Sequence, residues 1–179
     1  DSTNSSSLDL HQMFRNCTNL GNNTDITISG TQWNLSSVIS TQLMFNGCVN
    51  LGNNASVAFD DWDLSNCTNC GQMFNSTFGY NVTDYIPSTS QSMRNWTIGS
   101  SSTLTKCTSM FTDNNGRERA PHFNADVTGW NLQNVTNMSL MFSGCGSFQG
   151  IGLNTWSFSG TSNDINGTNC FYNSAITNE

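Results

Sequence analysis

The sequence predicts a repeat solenoid, a right-handed coil of about six units, and three observations predict it. Met-Phe pairs recur at Met13-Phe14, Met44-Phe45, Met73-Phe74, Met110-Phe111 and Met141-Phe142, and Cys170-Phe171 continues the series in steps of 31, 29, 37, 31 and 29 residues. The five tryptophans hold one phase of that unit: Trp33, Trp62 and Trp130 precede Met44, Met73 and Met141 by 11 residues, and Trp96 and Trp156 precede Met110 and Cys170 by 14. Only 9% of residues are charged and 35% are hydrophobic, the remainder being dominated by Asn, Ser, Thr and Gly. Such a chain fills a thin core in which each unit buries its apolar side chains against its neighbours. Residues 1–179 therefore read as a single solenoid domain, with units led by Trp33, Trp62, Trp96, Trp130 and Trp156 and a partial first unit at 8–32.

Each unit has two halves of different period. Trp33/Leu35, Trp62/Leu64 and Trp130/Leu132 alternate with polar residues, as do Trp96/Ile98 and Trp156/Phe158. That alternation predicts one short parallel strand per unit with one face buried. The second half places Val135, Met138, Met141, Phe142, Cys145 and Phe148 at spacings of three, as Val135/Met138 and Phe142/Cys145, and of four, as Met138/Phe142 and Met141/Cys145. This fits a helical or 3₁₀ segment, or a chain of tight turns. One strand and one such arc per turn make a leucine-rich-repeat-like coil, with Trp and Leu pointing inward.

Two copies carry a family resemblance: W-N-L-S-S-V-I-S-T-Q-L-M-F-N-G-C-V-N-L from Trp33 to Leu51, and W-N-L-Q-N-V-T-N-M-S-L-M-F-S-G-C-G-S-F from Trp130 to Phe148. Together with W-D-L-S-N-C-T-N-C-G-Q-M-F from Trp62, they resemble the BspA-like surface-protein repeats, also found in mycoplasma-type lipoproteins. The Met-Phe-x-Gly-Cys stretches at Met44 and Met141 are the most specific part. The resemblance implies a leucine-rich-repeat-like fold and a cell-surface role in adhesion or protein contact, and it offers no catalytic residues to carry over. The units here are longer than the family's, with insertions around Tyr80 to Ser92 and Gly99 to Thr105.

Charge narrows the partners. The net charge is −7, from 5 basic and 12 acidic side chains. That opposes a nucleic-acid partner, whose phosphates call for a basic face, and an anionic membrane surface. No apolar run reaches the roughly 18 residues a membrane span needs, so no membrane insertion is expected. The chain starts at Asp1 without a leader pattern, as a mature or excised segment does. Scarce Lys beside abundant Asn and Thr suits an extracellular or cell-surface location, a virion surface included. Asn-x-Ser/Thr acceptors stand at Asn4, Asn16, Asn22, Asn34, Asn54, Asn66, Asn75, Asn81, Asn95, Asn134, Asn137 and Asn166. They are candidate N-glycosylation sites in a eukaryotic secretory pathway.

Little in the chain points to chemistry. Its seven cysteines are an odd number, and most share phases held elsewhere by apolar or small residues. They read as buried thiols, with Cys17–Cys48 and Cys70–Cys107 as candidate disulfides between neighbouring coils. Stacked rungs are about 4.8 Å apart, within bridging range, but equivalent side chains point in parallel, which is awkward for a bridge. Cys67-x-x-Cys70 lacks the second cysteine pair a structural zinc needs. His11 and His122 are single, so no metal site and no cofactor is expected. Asp60, Asp61 and Asp63 surround a core tryptophan, and Asp113 to Glu118 lacks calcium-loop spacing and reads as a turn. The chain is not expected to be an enzyme.

The outward strand face is the candidate binding surface. Asn34, Asp63, Thr97, Asn131 and Ser157 follow the tryptophans, and Asp61 and Asn95 precede them. Stacked in register, these form polar rows suited to a protein or glycan on a cell surface or matrix. No cap is evident at either end, so copies of the chain stacking end to end are a further expected partner. The leading expectation is a non-enzymatic adhesion or protein-interaction module. The alternative is a structural subunit self-assembling head-to-tail into a glycosylated fibre, surface layer or virion component.

Overall fold

The computed structural model describes residues 7–88, 90–98, 105–112, 115–133, 135–158 and 165–176. Asn4, Asn134, residues 99–104 of the second insertion and Asp113 fall outside them. Among the described residues nine strands of two or three residues form: β1 Leu8–Asp9, β2 Ile26–Thr27, β3 Val38–Ser40, β4 Val57–Ala58, β5 Asp63–Leu64, β6 Gln91–Ser92, β7 Thr97–Ile98, β8 Thr105–Lys106 and β9 Val135–Asn137. Among the described residues the only helix is one 3₁₀ turn at Leu153–Thr155, and no closed barrel forms.

All five strand pairings are parallel, and each partner lies about one repeat further along the chain. Three ladders result. The first runs β1–β3, then through single bridges Ser40↔Asn69 and Asn69↔Lys106 to β8–β9, and on to Asn166. The second runs β2–β4–β6 and then Ser92↔Asp126. The third runs β5–β7, then Thr97↔Asn131 and Asn131↔Ser157. Each full repeat thus supplies three very short rungs rather than the single strand expected.

The Met-Phe arc is a chain of tight turns, not a helix. Met13 N donates to Leu10 O at 3.2 Å, Met44 N to Thr41 O at 3.1 Å and Met141 N to Met138 O at 3.2 Å. The residue before each Met lies in the left-handed region: Gln12 (φ 61°), Leu43 (φ 59°), Gln72 (φ 54°), Ser109 (φ 54°) and Leu140 (φ 57°), with Asn169 (φ 55°) before Cys170. These are type II turns, which place φ > 0 at their third residue. None of the six is glycine, so each copy carries a cost of about 1–2 kcal/mol. The compensation is visible, because the same residues donate to the next rung: Gln12 N to Gln42 O (3.1 Å), Leu43 N to Gly71 O (3.2 Å), Gln72 N to Thr108 O (3.2 Å) and Leu140 N to Thr168 O (3.0 Å). Glycine is required where rungs meet most closely. A Cβ at Gly30 would fall 1.7 Å from Asp61 O.

Aromatic columns fill the interior. Phe14, Phe45, Phe74, Phe111, Phe142 and Phe171 stack in sequence at centroid distances of 5.2, 5.2, 5.2, 5.0 and 5.5 Å. Trp62, Trp96, Trp130 and Trp156 stack at 5.0, 5.1 and 5.4 Å with interplanar angles of 6°, 4° and 4°. Each of these indole N–H groups donates to a carbonyl of the preceding unit: Trp62 to Ile28, Trp96 to Phe59, Trp130 to Met93 and Trp156 to Val127. Trp33 departs from the pattern. It is half-buried and packs tilted against Phe14 at 6.0 Å, and residues 31–36 form no strand.

The turn assignment is testable at Gln72. Gln72→Gly should leave stability unchanged or raise it by up to about 1 kcal/mol, and Gln72→Val should lower it by about 1–2 kcal/mol, both read from urea denaturation. A helical arc predicts the reverse for glycine, a loss of about 1 kcal/mol.

Candidate functional site

The third ladder brings Asp63, Thr97, Asn131 and Ser157 into one row of directly paired residues on the outer face. Asn34 lies outside that ladder. Part of the row's polarity serves the backbone: Asp63 Oδ1 accepts from Ser65 N at 3.0 Å, and Asn131 Oδ1 from Gln133 N at 3.2 Å. Asn34 Oδ1 makes the same turn contact with Ser36 N at 3.1 Å. The second expected row is not on a strand. Asp61 (φ 60°), Asn95 (φ 58°) and Gly129 (φ 76°) sit at left-handed corners, the conformation that Asn, Asp and Gly tolerate best. They still form a column: Asn95 Nδ2 donates to Asp61 Oδ1 at 2.9 Å, and Gly129 N donates to Thr155 Oγ1 at 2.6 Å.

Among the candidate glycosylation sites, Asn16, Asn34, Asn54, Asn66, Asn81, Asn95 and Asn166 are exposed, and Asn22 and Asn137 are half-buried. Asn75 is 7% exposed, and its amide is engaged on both sides: Nδ2 donates to Thr112 O at 2.7 Å, and Oδ1 accepts from Asn46 at 2.9 Å. A sugar there would break a contact between units. The exposed amides are also used, as where Asn66 Nδ2 donates to Ser36 O at 2.6 Å.

No disulfide joins any of the seven cysteines, so neither Cys17–Cys48 nor Cys70–Cys107 is bridged. Only Cys17 is exposed. Cys67 Sγ lies 3.3 Å from Cys70 Sγ, and Cys48 Sγ donates to Phe14 O at 3.1 Å. Burial pushes the Cys48 and Cys170 thiols up to about 12. Burial also raises Cys145, the Cys70 thiol raises Cys67, and the Cys107 thiol raises Cys70. Thiols held neutral in this way are poor nucleophiles and poor metal ligands.

Carboxylates and histidines likewise serve the scaffold. Asp60 accepts from Ser92 Oγ (2.6 Å) and Arg94 N (2.7 Å) and lies 3.5 Å from the Arg94 guanidinium. His122 stacks on Tyr85 at 4.9 Å, and the Tyr85 hydroxyl donates to Leu51 O at 2.7 Å. Among the described residues, no group of three or more His, Cys, Asp or Glu side chains is placed to hold a metal ion, and no helix is long and apolar enough to cross a membrane.

Three of the concave surfaces among the described residues bear on binding. A polar groove of about 530 Å³ lies between the Tyr80 to Ser92 insertion and the segments carrying His122, Asp126 and Gln149. Sequence reasoning did not single it out, because its walls are about 30 residues apart in the chain; the insertion was the available signal. Two apolar hollows lie at the terminal units, one lined by Leu8, Leu10, Met13, Trp33 and Leu35, the other by Met138, Leu153, Trp156, Phe158 and Phe171.

A family model described as "Mycoplasma protein of unknown function, DUF285" matches residues 3–179. No curated protein and no solved structure matches the chain.

The thiols make stability depend on alkaline pH. Below the usual thiol value of 9.0, Cys48 and Cys170 are neutral in both folded and unfolded chains, and their contribution is complete. Above it the unfolded chain loses protons that the folded chain keeps until about pH 12, so stability falls as pH rises. Each group should contribute up to about 1.4 kcal/mol per pH unit in that window. Urea midpoints measured across it should therefore fall steadily with pH, and a Cys48→Ala/Cys170→Ala double variant should show a shallower fall.

Proposed function

Because the chain belongs to the DUF285 family, we propose that it is a non-enzymatic, extracellular repeat protein acting at a cell surface as an adhesion or protein-interaction module. Its parallel ladders, each stepping by about one repeat, support reading the whole as a right-handed solenoid of the leucine-rich-repeat-like, BspA-like kind. Parallel connections are right-handed in about 98% of cases.

The observation that carries the functional reading is the row Asp63, Thr97, Asn131 and Ser157, four polar residues paired directly across successive rungs. A flat, rigid row at a spacing of about 4.8 Å suits an extended partner better than a small substrate. Binding through such a surface follows the general use of solenoid faces. The partner is a protein or glycan of a cell surface or matrix.

A second reading has its own observation. The terminal hollows are apolar, with Leu8 (44%) and Met13 (52%) exposed at one end and Phe158 (39%) at the other. Copies stacked head-to-tail would continue the aromatic columns and bury both hollows, and a heterologous contact of this kind propagates into a filament.

Binding of the purified chain to surfaces coated with mucin, fibronectin or collagen tests the first reading. Saturable binding to at least one is expected, weakened about tenfold by Thr97→Lys and little changed by Thr97→Ala. Concentration-dependent polymers in sedimentation velocity, without binding to any of the three, would replace it with the second.

A further inference from the structure

We infer that the polar groove beside the Tyr80 to Ser92 insertion is a binding site for a neutral saccharide. The inference deepens the proposed surface role by assigning a ligand class to a site distinct from the Asp63–Ser157 row.

The first argument is regularity. Phe74 and Phe111 are 37 residues apart, whereas the other Phe-to-Phe steps are 29 or 31. The extra chain includes Pro87, Ser88 and Ser90, which form one wall of the groove. Insertions in repeat proteins map to loops on one face, often the binding face. The stacked Phe and Trp columns need only a constant unit and take no ring from this insertion, whose Tyr85 and β6 pack on the scaffold.

The second argument is preorganisation. Gln91, 8% exposed, donates from Nε2 to His122 O at 2.8 Å, and its Oε1 accepts from Asn124 N at 2.9 Å. Asn124 Oδ1 in turn accepts from Gln149 N at 3.0 Å. A side-chain amide relay thus ties three successive units into the groove floor. His122 is clamped over the Tyr85 ring, and Gly79 (φ 87°) makes room for both: a Cβ there would lie 2.4 Å from the His122 ring and 2.8 Å from the Tyr85 ring. Groups held this way lose little freedom on binding, which is where affinity is gained.

The third argument is the chemistry left over. Asp126 uses Oδ1 to cap Thr128 N at 2.9 Å. Its second oxygen makes no hydrogen bond among the described residues, and neither do the Asn124 Nδ2, Gln149 side-chain amide, Ser90 and Ser147 hydroxyls or His122 ring nitrogens. These are donors and acceptors with a single carboxylate and no Lys or Arg in the lining. Phosphate, sulfate and sialic acid find no cationic partner here, and the net charge of −7 opposes them further. Sugar hydroxyls, which both donate and accept, match the set. Ile151, 45% exposed, offers an apolar contact for the C–H face of a ring. A peptide strand has nothing to pair with, because the backbone at this edge is already used: Val57 N donates to Ser90 O (3.0 Å), Met93 N to Asp126 O (2.9 Å) and Val127 N to Ile151 O (3.0 Å). The volume of about 530 Å³ lies within the range of small-molecule sites.

The test is a two-dimensional amide NMR titration of the whole chain with cellotetraose, chitotetraose and N-acetyllactosamine, and with 3′-sialyllactose as the charged control, each to about 10 mM, where weak binding of millimolar Kd is readable. At least one neutral sugar should shift the Ser90, Asn124, Asp126 and Gln149 amides saturably. Ser147→Trp, which fills the groove, should weaken that binding about tenfold or more while the Thr97 region is unperturbed. Preference for 3′-sialyllactose overturns the ligand class. Neutral-sugar shifts confined to the Asp63–Ser157 row overturn the groove and leave the surface role standing. So does an absence of shifts when binding to mucin, fibronectin or collagen persists and remains sensitive to Thr97→Lys. Loss of both sugar shifts and surface binding overturns both.

Discussion

Backbone hydrogen bonding between parallel rungs imposes a spacing near 4.8 Å, and an aromatic ring can stack on its neighbour at that spacing only if both occupy the same phase of the repeat. The six phenylalanines meet this condition, at 5.0 to 5.5 Å from one another. The four tryptophans from Trp62 to Trp156 meet it too, at 5.0 to 5.4 Å. Offset-stacked pairs contribute about 0.5–1.5 kcal/mol each beyond their area burial. The two ring columns and the three backbone ladders therefore fix the same distance independently. This lets a chain with 9% charged residues and few long apolar runs keep a dry interior. The indole N–H bonds add a cross-link, since each ties a ring to the backbone of the unit before it.

The same constraint explains the polar composition. Three short rungs per unit need several sharp corners, and corners favour residues that accept positive φ or cap a turn. Asp61, Asn95, Asn54, Asn81 and Asn173 all have positive φ. Asn34, Asp63, Asn131, Asn137 and Asn166 each accept a hydrogen bond from the backbone N–H two residues on. Much of the Asn and Asp content is thus structural. The Asp126 second oxygen and the Ser147 hydroxyl, which the scaffold does not use, line the groove beside the insertion.

The repeat, its phase and the inward direction of Trp and Phe were legible because identical residues recur at intervals a parallel ladder can use. The arc was ambiguous in principle: apolar steps of three and four arise equally from a helix and from linked tight turns. The residues before the Met, which include Leu43 and Leu140 beside Gln12, Gln72 and Ser109, do not decide between the two. The corner at Asp61 and Asn95 resembles strand in sequence because it adjoins the Trp-x-Leu alternation, although Asp, Asn and Gly at one phase are a turn signal. Trp33 shares the phase of the other tryptophans yet only half buries; it packs tilted on Phe14, and the unit before it at 8–32 carries no tryptophan to stack on it. Asn75 reads as a glycan acceptor by triplet and is a buried link between units by position. The groove was the least legible feature, because its walls come from three units and only the long step from Phe74 to Phe111 marks it.

The most direct measurement of the central claim is a set of inter-ring nuclear Overhauser contacts in protein labelled only at phenylalanine rings. The account predicts a single chain of contacts among the Met-Phe rings, Phe14 to Phe45 to Phe74 to Phe111 to Phe142, ending at Phe171, with none skipping a unit. Contacts joining Phe14 or Phe45 directly to Phe142, or no contact between Phe45 and Phe74, would contradict it.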